Sequence, residues 1–236
     1  CRPSPRDLDG DGLAAALRGG YPQELATKAA AEKADAIAKR RLGLIGTNLF
    51  PNLREKPPVP CVTAPVAAVV FAPGTAITRV NACRAAEPFE ALREASDAFA
   101  GRTGARPKVF LAKMGSPLQH KARADFSAGF FATGGFESLA KQSFETADAA
   151  ATAAVASGAP VVVLCSSDDT YPDLVPAFAK AVKAAKPDFT VVLAGLPSDP
   201  AVVASFRAAG IDEFIHVRAN IPAVLSSLLK KIGALS

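Results

Sequence analysis

A handful of positions in this 236-residue chain carry side chains that could do chemistry. His120 closes the loop Gly115–His120, just past the apolar run Val109–Ala112. A histidine there can ligate a metal or move a proton. A ligating imidazole normally has its other nitrogen held by a carboxylate or a carbonyl. A carboxylate two residues upstream would suit, but that position is Leu118. The plainer alternative is a partly exposed histidine near a helix start, the intermediate burial usual for this residue type. Ser166-Ser167-Asp168-Asp169 follows the apolar run Val161–Cys165 and could hydrogen-bond a ligand. The same groups could instead cap the next helix, near Asp173. Gly195, after Val191–Ala194, and Gly134-Gly135, before Phe136, permit a close backbone approach or simply make turns. His216 ends the run Phe214–His216 without a visible partner, as a core or sheet-edge histidine would.

Several chemistries lack their signature. No GxGxxG follows a strand and there is no P-loop, so neither phosphate-cradling fingerprint is present. Two histidines and no GxSxG leave no Ser/His/Asp set. The four cysteines, Cys1, Cys61, Cys83 and Cys165, show no CxxC spacing. They read as small apolar thiols of a reducing, cytoplasmic compartment rather than zinc ligands.

The positioning elements follow from periodicity. Apolar β-rich runs recur at Val109–Ala112, Val161–Cys165, Val191–Ala194 and Phe214–His216, with Phe136–Ser138 as a short extra strand. Helical stretches lie between them. Leu118, Ala122, Phe126 and Phe130 recur every fourth residue, as do Leu174, Phe178 and Val182. Val202, Phe206 and Ala209 follow a similar period, and Ile221 to Ile232 carries a continuous apolar stripe. Ser116-Pro117, Asp199-Pro200 and Asn220 ahead of Pro222 punctuate helix starts, while Gly210 and Gly233 mark stops. Short strands alternating with helices predict an α/β fold. Its core is a Rossmann-like or flavodoxin-like parallel sheet covered by helices on both faces. Ligands of such sheets bind at the carboxyl edge, where His120, Ser166 and Gly195 all fall.

Upstream the pattern is less regular. Residues 1–60 do not form a complete domain; Glu24–Leu42 is helical in composition and ends at the basic run Lys39–Arg41. Glu55–Pro60 reads as linker, Val62–Phe71 as irregular, and Glu87–Phe99 as a helix with Pro88 in its first turn. The expected division is 1–60, 61–105 (linker with a helix) and 106–236 (the α/β domain). The net charge of +5 is spread along the chain with no basic patch interleaved with aromatics, which argues against nucleic acid. No apolar run reaches the ~20 residues a membrane helix needs. No signal peptide is visible. The lone methionine is Met114, so the chain reads as a piece of a longer polypeptide.

The stretches IGTNLFPN (45–52), AEPFEALR (86–93), RPKVFLAKMG (106–115), FFATGGFE (130–137), VVVLCSSDDTY (161–171) and AGIDEFIHVRANIP (209–222) together resemble one family. They are similar to the C-terminal part of the small (beta) subunit of bacterial methylmalonyl-CoA mutase, an adenosylcobalamin-dependent isomerase. The resemblance implies that residues 1–60 are the end of a (β/α)8 barrel and that 106–236 is a cobalamin-binding-like domain. In the cobalamin-binding large subunit of that family, a D-x-H-x-x-G loop is followed by S-x-L and then G-G. Its histidine replaces the cofactor's own base on cobalt. Carried over, His120 stands at the histidine, Leu118 at the aspartate and Arg123 at the glycine. Ser166 stands at the serine, Asp168 at the leucine, and Ala194-Gly195 at the double glycine.

These departures imply relic positions: His120 without its orienting carboxylate, Arg123 where glycine gave clearance, and Asp168 bringing an unpaired charge into an apolar slot. The resemblance therefore implies a non-catalytic partner of a catalytic large subunit in a heterodimer. That holoenzyme interconverts methylmalonyl-CoA and succinyl-CoA with adenosylcobalamin held by the partner. An apolar surface around Phe130–Phe136 or on residues 45–71 could be contact area, and core packing explains those phenylalanines as well. One alternative is a divergent cobalamin-binding module with His120 as cobalt ligand; another is an unrelated flavodoxin-like domain for a nucleotide or acyl-CoA.

Overall fold

The computed structural model describes residues 12–55, 78, 80 and 83–235. Cys1, Cys61, the Val62–Phe71 run and most of the Glu55–Pro60 segment lie outside them. The described chain forms α1 (Gly12–Gly19), α2 (Tyr21–Ala38), α3 (Glu87–Thr103), β1 (Lys108–Met114), α4 (Pro117–Ala132), β2 (Glu137–Leu139) and β3 (Ser143–Phe144). It continues with α5 (Ala147–Ser157), β4 (Val161–Cys165), α6 (Tyr171–Ala185), β5 (Thr190–Ala194), α7 (Pro200–Ala209), β6 (Glu213–Ile215) and α8 (Ile221–Lys231).

The strands form one parallel sheet in the order β2-β1-β4-β5-β6, with β3 extending the β2 side of β1. This is the flavodoxin-like order, and it places the switch in strand direction of travel between β1 and β4. Every residue of β4 and β5 is buried, as strands covered on both faces must be. Alternation splits them between two cores. Val161, Val163 and Cys165 pack with Phe130, Phe131, Leu225 and Leu229 on the α3–α4–α8 face. Val162 and Leu164 pack with Ala154, Val175, Phe178 and Phe206 on the α5–α6–α7 face.

The helix punctuation works as its residue types dictate. Gln119 Oε1 accepts from Ser116 N–H at 2.9 Å, Asp199 Oδ1 from Ala201 N–H at 2.8 Å, and Asn220 Oδ1 from Ala223 N–H at 3.1 Å. Gly210, at φ 115°, ends α7. Gly134 and Gly135 are close-approach glycines. A Cβ on Gly134 would lie 2.8 Å from Leu225 Cδ1, and Gly135, at φ 84°, would put one 2.7 Å from Ser96 Cβ.

Several expectations need correction. The helix expected over Glu24–Leu42 runs from Tyr21 to Ala38, with α1 ahead of it, and α3 continues to Thr103. Of the Leu118–Ala122–Phe126–Phe130 stripe only Phe130 is fully buried in α4. Leu118 is 96% exposed, whereas His120, Ala124, Ser127, Phe130 and Phe131 are buried. Polar residues on the inner face misled the count of apolar ones. Of the two readings of Phe130, Phe131 and Phe136, core packing holds and contact area does not: they are fully buried and stack edge-on, with centroids 5.7 and 5.4 Å apart.

The segment before the linker is tied to the domain. Buried Asn48 donates to Ile37 O (2.8 Å) and Leu42 O (3.0 Å) and accepts from Leu44 N–H (2.7 Å). Arg93 of α3 donates to Gly46 O and Thr47 O, both at 2.8 Å, and to Thr133 O at 3.2 Å. One arginine thus clamps the 44–50 turn onto the end of α4.

Candidate functional site

The loops after β1, β4, β5 and β6 line the carboxyl edge of the sheet. Gly115, at φ 72°, turns the chain out of β1, and its N–H donates to Phe144 O at 3.0 Å, so β3 holds the loop in place. His120 then lies in the first turns of α4. It is 5% exposed, which corrects the expectation of a partly exposed side chain. Its Nδ1 is 3.1 Å from Gly115 O. The missing carboxylate at Leu118 is therefore made good by a carbonyl of the same loop. An Nδ1–H donating there leaves Nε2 as the lone-pair nitrogen.

Ser166 is buried and fully engaged. Its Oγ is 3.4 Å from Met114 O, its N–H donates to Tyr171 Oη at 3.2 Å, and Thr170 Oγ1 lies 2.8 Å from its Oγ. The hydroxyl ties the ends of β1 and β4 together instead of facing a ligand. Nor do the acidic residues of this loop cap α6 near Asp173. The helix begins at Tyr171, and Thr170 Oγ1 sits 2.8 Å from Ser167 O.

Asp168 turns outward to Arg123 of α4. Arg123 Nη2 donates to both carboxylate oxygens at 2.7 Å, and Nη1 donates to Ala194 O at 2.8 Å. The charge expected to be buried unpaired is neither buried nor unpaired, since the Asp168 side chain is 75% exposed. The two residues that depart from the family pattern are each other's partners. They meet over Gly195, whose φ is 153°. A Cβ there would stand 2.6 Å from Arg123 Nη1, 3.3 Å from Asp168 Oδ1 and 3.3 Å from Tyr171 Cε2. Gly195 thus does permit a close approach, and what approaches is the chain's own arginine.

Tyr171 is the residue that sequence reasoning passed over. Its hydroxyl donates to Ala194 O at 2.7 Å, so it bridges β4 and β5 beneath the Arg123–Asp168 pair. Burial, the largest influence, drives its pKa well above the ordinary phenol value. A buried phenol of this kind is a hydrogen-bond donor and not a base. The only available signal was its place six residues past a buried strand. On the far side of Asp168, a hollow of about 360 Å³ opens between the tops of α6 and α7, lined by Pro172, Leu196 and Val202 among others. His216 stands apart. Its Nδ1 accepts from Arg218 N–H at 3.3 Å, and burial, then the Arg218 charge, lowers its pKa.

The structure therefore brings Arg123, Asp168, Gly195, Ser166 and Tyr171 into one cluster. His120 stays bonded to its own loop. Among the described residues no group of three or more His, Cys, Asp or Glu could hold a metal ion, and no helix is long and apolar enough to cross a membrane.

No protein-family model matches the chain. It is 39% identical over 223 residues to the methylmalonyl-CoA mutase small subunit of Streptomyces virginiae, covering 94% of this chain and 33% of that one. It is 33% identical over 207 residues to the methylmalonyl-CoA mutase small subunit of Porphyromonas gingivalis, covering 84% of this chain and 30% of that one. Among solved structures, a cobalamin-binding protein from Desulfitobacterium hafniense superposes with a TM-score of 0.44 at 19% identity, covering 61% of this chain and 67% of that one. That likeness is too loose to bear on function. The chain spans about a third of the length of the curated relatives it matches. Along nearly all of its own length, it is homologous to the methylmalonyl-CoA mutase small subunits.

Proposed function

We propose that this chain is the structural, non-catalytic small-subunit part of an adenosylcobalamin-dependent methylmalonyl-CoA mutase. In this reading it pairs with a catalytic large subunit in the cytoplasm. That subunit holds the cofactor and carries out the methylmalonyl-CoA/succinyl-CoA isomerisation. The names of the relatives support the assignment to the mutase, and the carboxyl edge supports the division of labour. Residues 1–60 would be the end of a barrel body and 106–236 the domain that keeps the cobalamin-binding fold.

One observation carries the reading: the Arg123–Asp168 pair seated over Gly195. His120 alone would suit a cobalt ligand, with Nδ1 held and Nε2 bare. The rest of the edge does not fit a corrinoid. A nucleotide tail entering beside Gly195 would have to displace a guanidinium that makes three hydrogen bonds. It would also have to strip water from the Asp168 carboxylate, a cost with no compensating cation once Arg123 has moved. No step of the isomerisation is therefore assigned to residues of this chain.

The test is a visible-spectrum titration with hydroxocobalamin. The wild-type chain is expected to leave the spectrum unchanged. Leu118→Asp/Arg123→Gly/Asp168→Leu, which opens the edge, is expected to gain a saturable shift that His120→Ala removes. The Arg123 change should cost about 1 kcal/mol of helix propensity and about 1 kcal/mol more for the lost hydrogen bonds, since Arg123 is 29% exposed and also donates to Ala194 O. Saturable binding by the wild type, lost in His120→Ala, would overturn the proposal in favour of a cobalamin carrier.

A further inference from the structure

We propose that Ile37–Phe50 is a strap that sets the position of α4. Closure of the carboxyl edge by Arg123 and Asp168 then depends on a latch at the opposite end of that helix, with Arg93 as its bolt. This dependence is a property of the closed edge itself and holds whatever the edge faces.

Hydrogen bonds more than apolar burial hold the strap. Ile37 is buried in the core and Leu44 packs against it, but Ile45 and Phe50 are 76% and 81% exposed. Buried Asn48 braces the turn from inside, through Ile37 O, Leu42 O and Leu44 N–H. Arg93 holds it from α3, on the Gly46 and Thr47 carbonyls. The strap is also strained. Arg40 and Phe50 sit at φ 56° and 50°, the non-glycine residues with positive φ among those described. A side chain with a Cβ disfavours that conformation, which persists only where the surroundings impose it. A turn held by a few hydrogen bonds against strain at two residues can open as a unit without unfolding the sheet.

The same groups hold α4. Arg93 Nε donates to Thr133 O at 3.2 Å, at the C-cap of the helix. The Arg40 guanidinium lies 5.6 Å from the Phe126 ring centroid and 5.9 Å from that of Phe130. Phe126 stands one helical turn from Arg123. A single turn of helix moves as a rigid piece, so a shift at Phe126 and Thr133 reaches Arg123. Arg123 is tied at three points: Nη2 bonds both Asp168 oxygens at 2.7 Å and Nη1 bonds Ala194 O at 2.8 Å. Its Nη1 also fills the space that a Cβ on Gly195 would need. By linkage the coupling runs both ways: loosening the strap loosens the pair, and breaking the pair loosens the strap.

Hydrogen exchange read by mass spectrometry on the whole chain tests this. The amides of Leu42, Gly46, Thr47, Asn48 and Leu49 donate within the strap and report on it, while those of β4 and β5 report on the fold. Arg93→Met keeps the apolar stem and removes the donors. It is expected to speed exchange over 42–50 about tenfold or more, and by more than over β4 and β5. The deciding variant is Asp168→Asn, which alters no group that bonds the strap. It is expected to speed exchange over 42–50 at least about threefold, again by more than over β4 and β5. Lys121→Gln is the control: it breaks the exposed Lys121–Asp125 pair on the same helix and should leave 42–50 as it is. If Arg93→Met leaves 42–50 protected, or Asp168→Asn moves it no more than Lys121→Gln does, the proposal fails. It fails too if β4 and β5 speed up in step with the strap, because the effect is then global. Should Arg93→Met not fold, Arg40→Asn takes its place: asparagine tolerates the left-handed conformation and takes the guanidinium off Phe126. None of these outcomes bears on cobalamin binding, which the titration above decides.

Discussion

Cys165 ends β4 without exposed surface, its Sγ 3.7 Å from Ser127 Oγ, and burial pushes its thiol up to about 12. At that value the thiolate is scarce at any ordinary pH, whereas Cys83 is exposed. Peptide mapping after brief iodoacetamide treatment at neutral pH should find Cys83 alkylated and Cys165 intact, and denaturant should expose Cys165. His216 makes the pH-dependent counterpart. Its folded pKa lies below the ordinary 6.5, chiefly through burial and next through Arg218. Between the folded value and 6.5 the unfolded chain binds more protons, so this contribution is whole above 6.5 and fades as pH falls through that window. Denaturation midpoints of wild type and His216→Gln, compared from about pH 7.5 to about pH 5, should show a steeper loss for wild type. Equal slopes would show that the imidazole titrates alike in both states. At this scale the sequence pointed to His120, Ser166 and Gly195. It could not show that Gly115 O holds the imidazole, or that Ser166 spends its hydroxyl between two strands. Both partners are supplied by backbone brought near by folding.

At the scale of elements, the strands were legible because buried parallel strands are continuous apolar runs. Val161–Cys165 was read with its true bounds, and β1, β5 and β6 within two residues at either end. α4 was legible as a helix but not as to its inner face, because His120 and Ser127 lie on that face while Leu118 does not. The turn at Gly134-Gly135 shows what pins the elements. Ser96 Oγ donates to Gly134 O at 2.6 Å, and Gly135 lies against Ser96 in a left-handed conformation. Gly135→Ala should therefore destabilise the domain by roughly 2–3 kcal/mol, combining left-handed strain with overpacking. Urea unfolding would check this, and a loss under about 0.5 kcal/mol would mean that α3 yields at this contact.

The whole molecule has two regimes. The sheet and its helices bury two cores, whereas α2 buries only Gln23 and the C-terminal pair Ile37 and Ala38. The middle of α2 is exposed. Composition, strand periodicity and helix caps determined the α/β class by themselves, because burial on two faces and capping of helix ends are local demands that each segment must meet alone. The family resemblance was likewise readable, since it rests on runs of consecutive residues. Only the tertiary structure decided what the carboxyl edge is. Arg123 and Asp168 are 45 positions apart and look in sequence like two separate losses. A parallel sheet carries β4 and β5 to the side of α4, and there the two become a single ion pair resting on Gly195. Whether a charge is a liability or a closure depends on the partner within reach, and reach is set by the fold.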